Sequence, residues 1–425
     1  MSNTIPEGWS IAPIGDICNI AIGGTPSRSV PKYWDSTKTI GSPWVSIRDL
    51  NKPWIYETSE WITDAGIKHS NVKPVRKGTV LMSFKLSVGR VAFAGRDLYT
   101  NEAIAAFLPQ RKNVYSDQFL YQGLQHWNLL ENIDQAVKGA TLNKEKINQI
   151  EAILPPLPEQ KEIAAILSSV DDVIEKTRAQ IDKLKDLKTG MMQELLTKGI
   201  GSGGVPHTEF KESPVGRIPA CWAVRKADDI SDAVMVGVVI KPTQYYVDQG
   251  VPALRSANVR ENGLTMDNLK YFSPESNDQL HKSKLRKGDL LTVRTGYPGT
   301  TAVVTTEFEG CNCIDVVITR PSAEMDSDFF CLWVNSDHGK GQVLKAQGGL
   351  AQQHFNVGDM KNLLVPVPPL EEQRDIFRAV DSVIKKLSTS EKRLARLSSL
   401  KKALMQDLLT GKVRVNVSEK ETAVA

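Results

Sequence analysis

Cysteine is scarce in this sequence. The five residues, Cys18, Cys221, Cys311, Cys313 and Cys331, form an odd count with no Cys-x-x-Cys spacing. That excludes a disulfide scaffold, and Cys311-Asn-Cys313, with no histidine beside it, is a poor zinc site. Reduced thiols in a cytoplasmic protein are expected. Long apolar runs are missing too. Stretches such as Ala233–Ile240 fall far short of the roughly 20 residues a membrane span needs, and the start, Met-Ser-Asn-Thr-Ile-Pro, lacks the basic and apolar regions of a signal peptide. No membrane partner is expected. Charge of one sign is also lacking, since 53 Lys+Arg against 49 Asp+Glu leave +4. A chain that holds nucleic acid by bulk charge is usually more basic. Any basic surface must therefore be local or shared with a partner.

What is present is repetition. Over 425 residues, Pro155-Pro-Leu-Pro-Glu-Gln160 recurs as Pro368-Pro-Leu-Glu-Glu-Gln373, and Met192-Gln-Glu-Leu-Leu-Thr197 recurs as Met405-Gln-Asp-Leu-Leu-Thr410. Both pairs are offset by 213 positions, and the same offset links Ile5-Pro6 and Trp9 to Ile218-Pro219 and Trp222. Between these anchors the likeness is faint and the offset drifts, as small loop insertions would make it. The chain reads as a tandem duplication: a globular part (1–154), a helix (155–198), a linker (199–213), a second globular part (214–367), a second helix (368–411) and a tail (412–425).

Both helical stretches carry a 3.5-residue apolar period. Ile163, Leu167, Val170, Ile174, Ile181, Leu184 and Leu195 form one stripe. Ile376, Val380, Val383, Leu387, Leu394, Leu397 and Leu408 form the other. That period is the signature of a coiled coil. Even the polar interruptions coincide, Thr177 with Ser390 and Lys188 with Lys401. One reading is a generic dimerisation coiled coil. The other pairs the two helices of one chain, antiparallel, with a globular part at either end.

The globular parts read as mixed α/β. Strands are predicted at Thr79–Phe84, Val91–Ala94, Asp289–Arg294 and Thr301–Val304, with helices near 116–136 and 326–346. Catalytic signatures are absent: there is no phosphate-binding Gly-x-x-x-x-Gly-Lys-Ser/Thr loop, and no Gly-x-Gly-x-x-Gly opens a helix after a strand. Asn51-Lys-Pro-Trp54 departs at Lys52 from the Asn-Pro-Pro-aromatic tetrapeptide of adenine methyltransferases. No catalytic residue and no metal site is expected, which leaves recognition. Arg28, Arg48, Lys77, Lys85 and Arg90 lie near predicted turns of the first part, and Arg255, Arg260, Lys287, Arg294 and Tyr297 occupy comparable stretches of the second. Arginine suits both guanine pairing and phosphate anchoring, although a basic cluster is as often a solvated face. Trp34, Trp44, Trp54 and Trp61 have no counterparts in the second part.

These residues resemble the specificity subunits of type I restriction-modification systems. The resemblance covers nearly the whole chain. It rests on the doubled Pro-Pro-Leu-x-Glu-Gln, the helix ends at Leu195–Gly199 and Leu408–Lys412, the Ile-Pro-x-x-Trp starts, Gly23-Gly-Thr-Pro26, and the run His207-Thr-Glu-Phe-Lys to Gly216-Arg-Ile-Pro219. It implies an α+β fold in which two target-recognition domains each read one half of a split, asymmetric site in double-stranded DNA, while an antiparallel helix pair sets the spacing. It further implies two methyltransferase subunits docked on the chain and two restriction subunits in the full nuclease. S-adenosylmethionine, ATP and magnesium would then belong to the partners and no cofactor to this chain. The rival expectation is a non-catalytic coiled-coil protein with two ligand-binding domains and no DNA role.

Overall fold

Two long uninterrupted helices follow from the heptad stretches. In a computed structural model, which describes residues 5–110, 114–127, 129, 142–201, 203, 205–346 and 354–417, they run Leu157–Lys198 and Leu370–Leu408. Their 42 and 39 residues correspond to about 63 and 58 Å at 1.5 Å per residue. Each begins directly after its proline pair. At their ends Gly199 and Gly411 turn left-handed, with φ of +70° and +73°, a backbone that glycine adopts without strain.

The chain forms two compact units. One comprises residues 1–178 with 393–425, the other residues 179–392. This division cuts across the one suggested by the duplication, because each unit takes the front half of one helix and the back half of the other. In the first unit, Ile163, Ala164 and Leu167 share a core with Met405, Leu408 and Leu409. In the second, Leu196 shares a core with Ile376 and Val380. Within each unit the start of one helix therefore meets the end of the other, which is antiparallel packing.

Of the heptad positions, Ile163, Leu167, Ile174, Ile181, Ile376, Val380, Val383 and Leu408 are buried, while Val170, Leu184, Leu195, Leu387, Leu394 and Leu397 are half-buried. Leu196, Met405 and Leu409 lie outside that stripe and are buried as well. At the helix ends the facing surface is a globular core, so a wider apolar face is covered than a two-helix seam requires. Thr177 and Ser390 are buried, and the Thr177 hydroxyl donates to the Val173 carbonyl one turn back at 2.7 Å.

The globular parts share one topology despite their divergence. In the first, strands run in the order Cys18–Ile22, Ile104–Pro109, Val80–Ser83, Val91–Ala94, with the short Trp54–Ile55 at the edge. In the second, the order Ser231–Val236, Val316–Pro321, Leu290–Val293, Thr301–Val303 repeats it. A further sheet in each contains a parallel pair, Ser42–Val45 with Leu98–Thr100 and Val251–Arg255 with Asn312–Ile314. The helix predicted near 116–136 is Asp117–Leu124, with most of its later portion outside the described residues. The one near 326–346 is broken at Ser336 into Ser327–Asn335 and Asp337–Ala346.

The repeated Glu-Gln explains why these motifs stayed alike. Gln160 accepts from the Ser116 backbone N–H at 2.9 Å and donates to the carbonyls of Pro155 and Val114. Gln373 does the same with Asp326, Pro368 and Glu324. Each latches its helix start to the globular part beside it. The preceding glutamates are buried and take the indole N–H of the repeated tryptophan, Trp9 to Glu159 at 3.2 Å and Trp222 to Glu372 at 3.0 Å. The remaining donors differ. Glu159 takes the Arg414 guanidinium from the segment after the second helix. Glu372 takes the backbone N–H groups of Ile200 and Gly201 and the ring of His207, from the segment after the first. Arg414 is half-exposed, which limits the worth of its ion pair. Arg414→Ala is expected to lower the urea midpoint of the first unit slightly. An unchanged midpoint would make that segment passive.

Candidate nucleic-acid interface

Strand direction places a matching set of loops in each unit. Cys18–Ile22 and Val80–Ser83 are both antiparallel to Ile104–Pro109, so their C-terminal ends emerge at one sheet edge. That edge carries Gly23 to Pro26, the loop 84–90 and the turn Asn101–Ala103. Gly23 lies so close to Thr100 that an added Cβ would sit 2.0 Å from its carbonyl oxygen, which accounts for glycine in the Gly-Gly-Thr-Pro run. The Thr25 hydroxyl donates to Glu102. The second unit repeats the arrangement, with Gly237, the loop 294–300 and Asp315 at the corresponding edge.

The two loops have one backbone form. Gly89 N–H donates to the Ser83 carbonyl at 2.9 Å, and Gly299 N–H to the Val293 carbonyl at 3.0 Å. Gly89 and Gly299 share a φ of +86°, and Leu86 at +63° stands where Gly296 has +89°. A left-handed leucine costs about 1–2 kcal/mol. The tips are open: Leu86 is 83% and Tyr297 84% exposed.

The basic residues separate into three groups. Arg28 and Arg48 converge on Glu60, and the Arg28 guanidinium also lies 3.8 Å from the Trp34 ring centroid and 5.1 Å from that of Trp44. Chiefly the hydrogen bonds from Arg28 hold the Glu60 carboxyl below the usual carboxylate range. Two guanidiniums on one carboxylate leave a positive excess in a fixed geometry, and Arg48 remains 61% exposed. This assigns Trp34 and Trp44 of the unmatched tryptophans to shaping an arginine site. A second group lies at the surface, with the Arg260 guanidinium donating to the Val259 carbonyl at 3.1 Å. Lys77, Arg90, Arg260 and Lys287 are exposed, and Lys85 is half-buried with its ammonium 5.4 Å from the Phe84 ring centroid. Arg90 also lines a cleft of about 410 Å³ with Lys52, Arg178 and Lys401, in which Lys401 pairs with Asp171 at 2.7 Å. The third group is turned inward. Arg255 donates to the Asn268 carbonyl at 2.7 Å, and Arg294, with its side chain 20% exposed, pairs with Asp315. These two shape loops as much as they present charge.

One rigid surface loop was not visible in the sequence pattern. The Asp35 carboxylate accepts from the backbone N–H groups of Thr37, Lys38, Thr39, Ile40 and Gly41 at 2.8–3.0 Å and from the Thr37 hydroxyl at 2.7 Å. Led by the Thr37 hydroxyl, these bonds hold the carboxyl well below its ordinary pKa. They stake out a rigid loop with Ile40, 82% exposed, at its tip. An aspartate ahead of a Thr/Gly-containing turn was the available signal.

Among the described residues no group of His, Cys, Asp and Glu could hold a metal ion, and no helix is long and apolar enough to cross a membrane. Burial pushes the thiols of Cys18 and Cys331 up to about 12, which disfavours the thiolate form.

The sequence model of a family described as the type I restriction modification DNA specificity domain matches twice, over residues 6–186 and 219–399. The MjaVIII specificity subunit of Methanocaldococcus jannaschii is 25% identical over 424 residues, covering 97% of this chain and 94% of its own. The EcoKI specificity subunit of Escherichia coli K12 is 22% identical, covering 96% and 90%. Among solved structures, the S subunit of a type I restriction-modification system from M. genitalium superposes with a TM-score of 0.60 at 15% identity, over 96% of this chain and 97% of that one. A chain from a type I system solved for its assembly and conformational transition gives 0.54 at 17% identity, over 96% and 100%.

Proposed function

The chain belongs to the type I restriction-modification DNA specificity family, and from that premise we propose that each of its two globular parts reads one half of a bipartite, asymmetric site in double-stranded DNA. The observation that carries this reading is the repeated sheet edge, which presents one loop form with different side chains in each unit. Two readers of one architecture and unlike chemistry suit a target with unlike halves. Phosphate contacts fall to the exposed Lys77, Arg90, Arg260 and Lys287, and base contacts to Arg48 and the loop tips. The long helices set the spacing between half-sites and carry two methyltransferase subunits, which two restriction subunits join in the complete nuclease. S-adenosylmethionine, ATP and magnesium belong to those partners, and this chain contributes recognition without chemistry of its own. The modest net charge of +4 suits a subunit that holds DNA jointly with others.

Methylation profiling of a host carrying the intact system tests this directly. A two-part motif with a fixed spacer and one modified adenine in each half is expected. Binding of the assembled methyltransferase to a duplex of that motif should weaken linearly in log affinity against log salt. Arg48→Ala should cost about 1–3 kcal/mol of discrimination at one half-site, while Arg294→Ala, by freeing the loop 294–300 from Asp315, should weaken binding at the other half-site only. Salt-independent binding, or equal loss at both halves for each variant, would favour a scaffold without a DNA role.

A further inference from the structure

Of the five described non-glycine residues with left-handed backbone, Lys38, Leu86, Lys241, Asn268 and Asp315, Leu86 alone is apolar. Among the described residues nothing covers it, and it is 83% exposed. Yet the loop around it is held from several sides. The Ser83 hydroxyl donates to the Ser87 carbonyl and accepts from Arg90 N–H at 3.1 Å, Ser87 N–H donates to the Lys85 carbonyl at 2.7 Å, and Gly89 N–H donates to the Ser83 carbonyl. At the equivalent position the second unit has Gly296, which shows that this loop form needs no side chain there. Leucine at this point is unfavourable twice over, in backbone and in hydration. A residue unfavourable in the free protein and fixed in place by its surroundings is explained by what it meets on binding.

We propose that Leu86 is a wedge that enters a base step of the first half-site, partly unstacking it and bending the duplex. This rests on the DNA-reading function above. Its neighbours fit that role. Lys85 and the exposed Arg90 lie on the same loop and can hold phosphates to either side, while an apolar tip between cations is what a minor-groove wedge requires. Unstacking is sequence-dependent and cheapest at pyrimidine–purine steps. Leu86 thus confers a preference at a step where it makes no hydrogen bond. In the second unit the exposed residue is Tyr297, one position later, whose ring suits stacking on a base face. The two loops therefore deform DNA differently.

The test uses the full chain assembled with its methyltransferase subunits and duplexes of the mapped motif, with 2-aminopurine placed at successive positions of each half-site. The wild type is expected to brighten the probe at one step of the first half-site. Leu86→Gly and Leu86→Asn, both suited to the left-handed backbone, should abolish that signal. They should weaken binding about tenfold or more without lowering the melting temperature, since both relieve the left-handed leucine. Leu86→Phe should retain the brightening. Unchanged brightening and affinity in Leu86→Gly, beside a wild type that binds, would overturn the wedge and leave the DNA reading intact. Loss of binding only in step with a lowered melting temperature would overturn it in favour of a structural role. Loss of methyltransferase retention instead would overturn it in favour of a protein contact. A wild type that binds no duplex would remove the DNA reading and the wedge together.

Discussion

Glu372→Ala is expected to destabilise the second unit by about 3 kcal/mol or more, read as a lowered midpoint in urea or heat. The carboxylate is buried, with its side chain 3% exposed. It collects the N–H groups of Ile200 at 3.0 Å, Gly201 at 2.8 Å and the Trp222 indole at 3.0 Å, with the His207 ring at 2.8 Å. Truncation strands several donors in a site sealed from water, and leaving even one unsatisfied costs about 1–3 kcal/mol. Gly199 and Trp222 close the space around it, so replacement donors from solvent have little room. The acid behaviour has a definite sign. Burial alone would raise the Glu372 pKa, but the donors together outweigh it and hold the carboxyl below its ordinary 4.5. A depressed folded pKa means the stabilisation is complete above the unfolded value and fades as pH falls from there through the folded value. The wild type should therefore lose stability steeply below about pH 4.5, and Glu372→Ala should lose less over the same range. Equal acid limbs in the two proteins would show that Glu372 is not the anchor.

Lengthening both long helices by four residues, after Lys183 and after the matching Arg396, should abolish recognition of the original site by at least about a hundredfold, or move the spacer. Four residues add about 6 Å and turn the helix by about 40° beyond a full turn. B-DNA rises about 3.4 Å per base pair. A spacer altered by about two base pairs is the expected new optimum, to be read by methylation profiling of a host carrying the altered chain. Insertion in one helix alone should abolish recognition outright, because the buried stripe that includes Ile174, Ile181 and Val383 would lose its register. An unchanged spacer with both insertions would mean that something other than the helices sets the distance.

The duplication was legible because the residues that kept it, Trp9 and Trp222, Glu159 and Glu372, Gln160 and Gln373, are buried groups doing one job twice. Their job was not legible. A Pro-Pro-Leu-x-Glu-Gln run announces a helix start, but nothing local says that its glutamine will reach back to Val114 or Glu324. The common strand order of the globular parts escaped notice for a different reason. Strand pairing depends on the alternation of apolar and polar residues and tolerates replacement of nearly every residue. Charge was the least readable feature. Arg28, Arg48 and Arg294 look alike as letters, yet one stacks on Trp34, one remains open on Glu60, and one is folded against Asp315. The left-handed backbone at Leu86 leaves no mark in composition at all, because the residue that would have signalled it is glycine.

The division of each helix between two compact units has a genetic consequence. Residues 157–178 and 393–408 are packed together in the first unit, yet they are also the front and back of one repeated helix. An unequal crossover between the two copies, at matching codons near the middle of the helix, would fuse them into a single continuous helix without breaking its heptads. The encoded polypeptide, half the present length, would hold every residue of the first unit and could not fold back to complete it. Two such polypeptides could complete each other. The result would be a homodimer with two identical readers, specific for a palindrome, and one recombination event would have exchanged an asymmetric target for a symmetric one.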